Sequence, residues 1–367
     1  MADLRALFPV TGKYAYLNTA AVGPLSTRAR NAMRRLASDQ CAHGAAHYAA
    51  WFAEYDRCRE SAARLLGASP DEIALVANTS AGISTVAQGL RAGPGDNVVI
   101  PEAEFPANVY PWMALPGVEV RRVPKRDGRI LAEDVAAAAD GRTAAVSVSF
   151  VDWLTGHRTD LRAVGEAAHA AGALFVVDAI QGLGALPLDV KACGVDALAA
   201  DGHKWICGPE GAGILYVRRE ARERIAPTRP SWLSVRNPTR FLDYDMAPAP
   251  SARRYEDGTP NTCGVHGLRA AIDLALEAGI DAIAARIGEL AARLRAGARA
   301  KGLRLACDAE GDEASGIVSF RLEDAPVFQA ALEQRGVLVA ARQGMLRVAV
   351  HHFNNEEDVD RLLAAFQ

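Results

Sequence analysis

No two of the six cysteines are close enough to form a C-x-x-C pair: Cys41, Cys58, Cys193, Cys207, Cys263 and Cys307 are scattered along 367 residues. That spacing argues against a zinc ribbon or a disulfide framework and fits a reducing, cytoplasmic setting. No window approaches the roughly 20 consecutive apolar residues that span a bilayer. The first residues, 1–8, lack the apolar stretch of a secretory signal. There is no internal repeat, low-complexity tract or long linker. A formal net charge of −3 gives no electrostatic reason to expect nucleic acid or an anionic membrane as partner.

What is present is ordinary globular composition, 50% apolar and 23% charged, on a chain long enough for two domains. Short apolar runs at 73–77, 97–100, 118–123, 144–150, 173–177, 197–200 and 214–217 alternate with helical stretches at 57–66, 80–90, 132–139 and 161–171. This alternation predicts βα units and a mostly parallel sheet covered on both faces. The Ala247-Pro-Ala-Pro-Ser251 loop marks a change of texture. Beyond it, helices at 267–278, 281–300, 326–335 and 355–366 and strands at 303–306, 317–321, 337–339 and 346–350 predict a smaller α/β unit. The expected division is an N-terminal segment 1–20, a large domain 21–250 and a small C-terminal domain 251–367.

Ligands of parallel sheets bind outside the carboxyl ends of the strands, and two predicted strands end in unusual chemistry. One runs Leu174-Phe-Val-Val-Asp178-Ala-Ile-Gln181. The other runs Ala199-Ala-Asp201-Gly-His203-Lys204-Trp205 into the glycine-rich Gly208-Pro-Glu-Gly-Ala-Gly213. A strand-end Asp is ordinarily a cap and a lone Lys ordinarily solvated; together at neighbouring strand ends they match what a pyridoxal cofactor needs. The lysine forms the Schiff base, and an ionised Asp178 keeps the ring nitrogen protonated so that the ring accepts electrons. Gln181 is placed to donate to the phenolic oxygen. Asn78-Thr-Ser80-Ala-Gly82, between a strand and a helix, offers Thr79 and Ser80 and helix N-terminal amides for the phosphate, with His203 a third donor.

These blocks, in this order, resemble the class V aminotransferase family, which includes cysteine desulfurases, selenocysteine lyases and isopenicillin-epimerase-like proteins. The resemblance rests on Tyr16-Leu-Asn-Thr-Ala-Ala21, Asn78-Thr-Ser-Ala81, Glu104-Phe-Pro-Ala-Asn108, Val177-Asp-Ala-Ile-Gln181, Asp201-Gly-His-Lys204, Gly208-Pro-Glu-Gly-Ala-Gly213, Arg254-Tyr-Glu-Asp-Gly-Thr-Pro-Asn261 and Met345-Leu-Arg347. It implies an α/β, fold-type-I homodimer that binds pyridoxal 5'-phosphate in the large domain. It implies Lys204 and Asp178 as catalytic residues. Cofactor contacts would come from Gln181, His203, Thr79, Ser80, Ala81, Phe105 as stacking ring, and Thr259 reaching the other subunit's phosphate. Substrate contacts would come from Arg347, gripping the α-carboxylate, with Arg342 and Asn18 beside it. Trp153, Trp232, Tyr244 and Arg236 are further pocket candidates.

Three departures matter. The run Ala340-Ala-Arg342-Gln-Gly344-Met345 carries no cysteine where the family's desulfurases have a nucleophile, and Cys307 is expected to be a small core residue. Phe105 replaces a stacked histidine, so it cannot carry protons. Asp201, beside the expected phosphate, is given no phosphate role. The expected reaction is β-elimination at a C–S bond of an amino acid, with transamination or epimerisation as the alternative. No metal is expected: His351-His352 has no further ligands at suitable spacing.

Overall fold

The computed structural model describes residues 4–366, so the first three residues of the 1–8 stretch lie outside it. In chain order the elements are β1 (Ala15–Tyr16), α1 (Thr27–His43), α2 (Tyr48–Leu66), β2 (Ile73–Val76), α3 (Thr79–Gly89), β3 (Asn97–Pro101), α4 (Tyr110–Met113), β4 (Glu119–Val123), α5 (Ala132–Ala138), β5 (Thr143–Ser149) and α6 (Leu161–Ala170). Then follow β6 (Leu174–Asp178), β7 (Ala197–Asp201), β8 (Gly213–Val217), α7 (Thr262–Ala278), α8 (Ile280–Ala300), β9 (Ile317–Arg321), α9 (Ala325–Gln334), β10 (Val337–Leu338), β11 (Ala340–Arg342), β12 (Met345–Ala349) and α10 (Glu356–Leu363).

Seven strands form the central sheet in the order β2-β8-β7-β6-β5-β3-β4. All neighbours are parallel except β8, which is antiparallel to both β2 and β7. Most of the inner strands are continuous apolar runs because both faces are covered, whereas the edge strand β4, Glu-Val-Arg-Arg-Val, is partly exposed. Along β6, Phe175 and Val177 enter one core while Leu174 and Val176 enter the other, the period of two that a strand imposes. The chain runs outward from β3 to β4 and returns to the far side of β3 as β5. That reversal creates a switch point, and the carboxyl ends of β3, β5, β6 and β7 face the crevice beside it.

A second, three-stranded antiparallel sheet, β11-β12-β9, belongs to the C-terminal part. The N-terminal strand β1 joins that part, pairing in parallel with β10. We retain the division at residues 20 and 250 as a proposal. The strand expected at 303–306 is corrected: only a single bridge, Leu305 to Phe320, forms there. The helix expected from 267 begins at Thr262, capped by Asn261 accepting from Gly264 N, because its glycines are tolerated where neighbouring chain packs too closely for a side chain: a Cβ on Gly267 would meet Met33 and Pro209. Among the described residues no helix is long and apolar enough to cross a membrane.

Candidate active site

Register brings the strand ends together. In β6, Asp178 is paired with Ser149 of β5 and Ala199 of β7. Its carboxyl group is 1% exposed and accepts from Ile180 N at 3.0 Å. Burial pushes its pKa up to about 7, and the nearby Glu104 adds to that while Lys204 opposes it.

Lys204 leaves the end of β7 on a loop closed by Cys207 N to Lys204 O (3.0 Å), Gly208 N to Gly202 O (2.8 Å) and Gly202 N to Ala212 O (3.0 Å). The N-terminal segment seats against this loop. Gly23 N donates to His203 O at 2.7 Å, and a Cβ on Gly23 would stand 2.0 Å from Lys204 O. The Lys204 ammonium lies 5.4 Å from the Phe105 ring centroid. Burial pushes its pKa down to about 8; Asp178 resists that shift and Arg347 reinforces it. Lys204, Asp178 and Arg347 therefore share one electrostatic space.

Arg347, in β12, is 3% exposed. Its Nη1 donates to Trp153 O at 2.8 Å, and its buried Nε has no partner. Burial, then the charge of Arg342, brings it down to about 10. Such a guanidinium, half-satisfied and desolvated, suits a bidentate carboxylate. Asn18 bridges to Ala349, two residues along the same strand, and its Oδ1 is also buried without a partner. Arg342 sits exposed on β11, donating to Ala341 O, so it stands at the rim.

The α3 N-terminus supplies the expected anion cradle. Asn78 caps it by accepting from Ala81 N at 2.9 Å, which leaves the first amides without an intrahelical partner. Gly82 lets α3 press on β7, since a Cβ there would be 2.6 Å from Ala199 Cβ. The contact sets Thr79 Oγ1 where it accepts from Asp201 N at 3.0 Å, while Ser80 is exposed. Asp201 turns its carboxylate toward His203, with Oδ2 2.9 Å from Nδ1. The approach does not make a hydrogen bond, and it leaves His203 Nε2 for another partner. Gln181 is already engaged: its Nε2 donates to Ala20 O (3.1 Å) and its Oε1 accepts from Trp205 Nε1 (2.8 Å). One amide hydrogen is left for a ligand.

Not every candidate joins this cluster within one chain. Thr259 is exposed on a loop beside Ala77 and Gly211, on the rim of a cavity of about 160 Å³. Trp153 does join, edge-on to Phe105 at 5.5 Å and donating to Ala103 O. Trp232 instead packs on Phe52 and Phe241, and Tyr244 is 86% exposed.

The sequence reading passed over Glu104. It is buried, accepts from Phe105 N (2.9 Å), Ser149 Oγ (2.8 Å) and Ser149 N (3.1 Å), and burial raises its pKa. Its signal was available, a carboxylate just beyond the end of an apolar run. A second unforeseen element is the buried Lys125–Asp152 ion pair. Asp152 Oδ1 also accepts from Leu154 N and Thr155 N, fixing the loop whose Trp153 carbonyl meets Arg347.

Buried polar atoms without protein partners call for an explanation, and a bound polar group is one. Here they include Asn18 Oδ1, Thr19 Oγ1, Asp201 Oδ1 and Arg347 Nε, next to a neutralisable lysine, a buried carboxyl group and open helix amides. This set fits pyridoxal phosphate.

Comparison with known proteins agrees. The family profile described as "Aminotransferase class-V" matches residues 15–362. The chain is 33% identical over 301 residues to the uncharacterized aminotransferase YcbU of Bacillus subtilis, covering 82% of this chain and 80% of that protein. It is 29% identical over 387 residues to a probable cysteine desulfurase of Methanothermobacter thermautotrophicus, covering 98% and 96%. The apo structure of a cysteine desulfurase from Thermococcus onnurineus NA1 superposes with a TM-score of 0.90 at 25% identity, covering 99% of this chain and 96% of that one.

Proposed function

The chain belongs to the class V aminotransferase family of pyridoxal-phosphate enzymes, and on that premise we propose that it is a β-eliminating lyase acting on the C–S bond of a cysteine-derived amino acid. When bound, the cofactor supplies an electron sink for the charge that develops at the substrate α-carbon.

The roles proposed for this chain's residues follow from their surroundings. Lys204 would hold the cofactor, and its amine, lowered by burial to about 8, would take the substrate's α-proton. Asp178 would pair with the ring nitrogen and keep it protonated, and that cationic partner would in turn let the buried carboxyl ionise. Thr79, Ser80 and His203 would bind the phosphate at the α3 N-terminus, Ala81 N being taken by Asn78 Oδ1, and Thr259 of a second copy would complete it. Phe105 would stack on the ring, and Gln181 would donate its remaining amide hydrogen to the phenolic oxygen. Arg347 grips the α-carboxylate, Asn18 orients it and Arg342 stands at the entrance. The β-substituent leaves with its bonding electrons, and hydrolysis then gives a 2-oxo acid and ammonium.

The observation that carries elimination over sulfur transfer is the connection between β11 and β12. Gln343 and Gly344 both have positive φ, 48° and 71°, the signature of a two-residue hairpin turn. A connection this tight has no loop on which to present a nucleophilic thiol. Cys307 is buried and its thiol is pushed up by burial, the opposite of what a persulfide-forming cysteine needs. The six cysteines are unpaired, which supports a reducing cytoplasm, and the exposed Thr259 supports a homodimer.

The test is incubation of holoenzyme with cysteine, cystine and S-substituted cysteines, assaying pyruvate and released sulfur. Both should rise together, and Lys204→Ala should abolish them along with the visible absorbance of the bound cofactor. If neither product forms across that panel, the lyase assignment fails. Amino-group transfer to an added 2-oxo acid would then favour the aminotransferase reading, which the likeness to YcbU supports.

A further inference from the structure

The α1–α2 turn brings together three side chains that the cofactor site does not use. Asp39 and His43 lie one turn apart on the last turns of α1. Gly44, with φ +55° and no neighbour within 4 Å of a Cβ, reverses the chain so that His47 returns over the same helix end. His43 Nδ1 stands 3.1 Å and His47 Nδ1 2.7 Å from one oxygen, Asp39 Oδ1. The two rings are 5.0 Å apart and tilted by 45°. On the far side, Trp51 Nε1 donates to the other carboxylate oxygen, Asp39 Oδ2, at 3.4 Å.

From this convergence we propose that Asp39, His43 and His47 form a binding site for a divalent transition-metal ion, with zinc the natural occupant. The three donor atoms lie within 4.8 Å of one another. A tetrahedral zinc ion with bonds of about 2.0–2.1 Å sets its ligand atoms about 3.3 Å apart. The Asp39–His distances are already close to that edge length, so binding needs the shared protons to leave and only small side-chain shifts. Two imidazoles and one carboxylate suit zinc and its neighbours in the first transition series rather than calcium or magnesium, which prefer all-oxygen shells. Trp51 is the outer partner that fixes the carboxylate, as ligating carboxylates require. The site is half-exposed, with side-chain exposures of 27%, 54% and 52% for Asp39, His43 and His47. A fourth position is therefore open to water. Its effect is to clamp the α1–α2 turn, and both helices pack on α7.

The experiment is zinc titration of the chelator-treated holoenzyme by calorimetry, with cobalt(II) as a second, visible probe. One equivalent should bind per chain at micromolar zinc and raise the unfolding temperature. His43→Gln and His47→Gln should each weaken binding by more than ~10-fold, and Trp51→Phe by about 10-fold. Cys41→Ser, at an exposed position on the same helix, should leave binding unchanged. The cobalt complex should show the intense visible bands of a four-coordinate site. Binding that is indifferent to the histidine substitutions, binding lost only in Cys41→Ser, or no binding at micromolar zinc would each overturn the proposal. None of these readouts depends on the lyase assignment.

Discussion

Asp178 shows what the site costs when its cofactor is away. Burial moves its carboxyl from an ordinary value of 3.8 to about 7, so the folded protein holds a proton that the unfolded chain releases. A raised acid destabilises the fold above the unfolded pKa, and the penalty grows as pH climbs from about 4 through 7. Asp178→Asn removes it. At pH 8 the cofactor-free variant should resist urea better by about 1–2 kcal/mol, less than the full shift implies because Lys204 loses its compensating charge. At pH 4 the two proteins should be alike. The same variant should lose tight cofactor binding, since nothing then holds the ring nitrogen protonated. A variant less stable than wild type at pH 8 would show that the native site already satisfies the carboxylate.

At the scale of elements, the lysine loop is held by close backbone contact. Gly23 has no room for a methyl group: a Cβ would meet a backbone carbonyl, Lys204 O, at 2.0 Å, and backbone cannot swing aside as a side chain can. Gly23→Ala should lower the unfolding temperature by several degrees and cut cofactor occupancy, whereas Gly12→Ala, with nothing within 4 Å, should do neither. This contact also marks where the sequence stopped being informative. Most strands of the large sheet were legible because they are short apolar runs set off by helix or glycine-rich loop signals, and Asp178 and Lys204 because they lie at or just beyond the ends of two such runs. The placement of Gly23 on Lys204, and of Glu104 behind Asp178, depends on which strand lies beside which. That order is decided by long-range packing. The β11–β12 hairpin was legible only as a missing cysteine, because its Gln-Gly turn is not a strong hairpin signature. Asp39 and His47 went unpaired for a different reason: their helical spacing is interrupted by the turn at Gly44.

Across the whole molecule, the C-terminal part reaches the lysine loop through one buried histidine. His351 Nε2 donates to Trp205 O at 3.0 Å, and its Nδ1 accepts from His352 N at 2.9 Å. Both ring nitrogens are committed, so the ring is neutral, and burial holds its pKa well below the usual histidine range. Trp205 in turn holds Gln181, linking this contact to the cofactor site. His352 beside it is different. Both its nitrogens are buried without partners, and burial brings it down to about 4. A base whose folded pKa is depressed leaves the folded state with fewer protons than the unfolded chain. Stability is therefore lost as pH falls from about 6.5 toward 4, at about 1.4 kcal/mol per pH unit for each such group. Replacing His352 by Leu removes one proton from that balance and two unsatisfied nitrogens from an apolar site between Phe8 and Phe353. The variant should gain about 2 kcal/mol over wild type at pH 5 and less at pH 8, measured by urea unfolding of the cofactor-free protein. His351→Leu should instead lose stability at pH 8, because it orphans the Trp205 carbonyl, and it should weaken cofactor binding through Gln181. Equal pH profiles for wild type and His352→Leu would mean that the imidazole is already solvated in the folded protein.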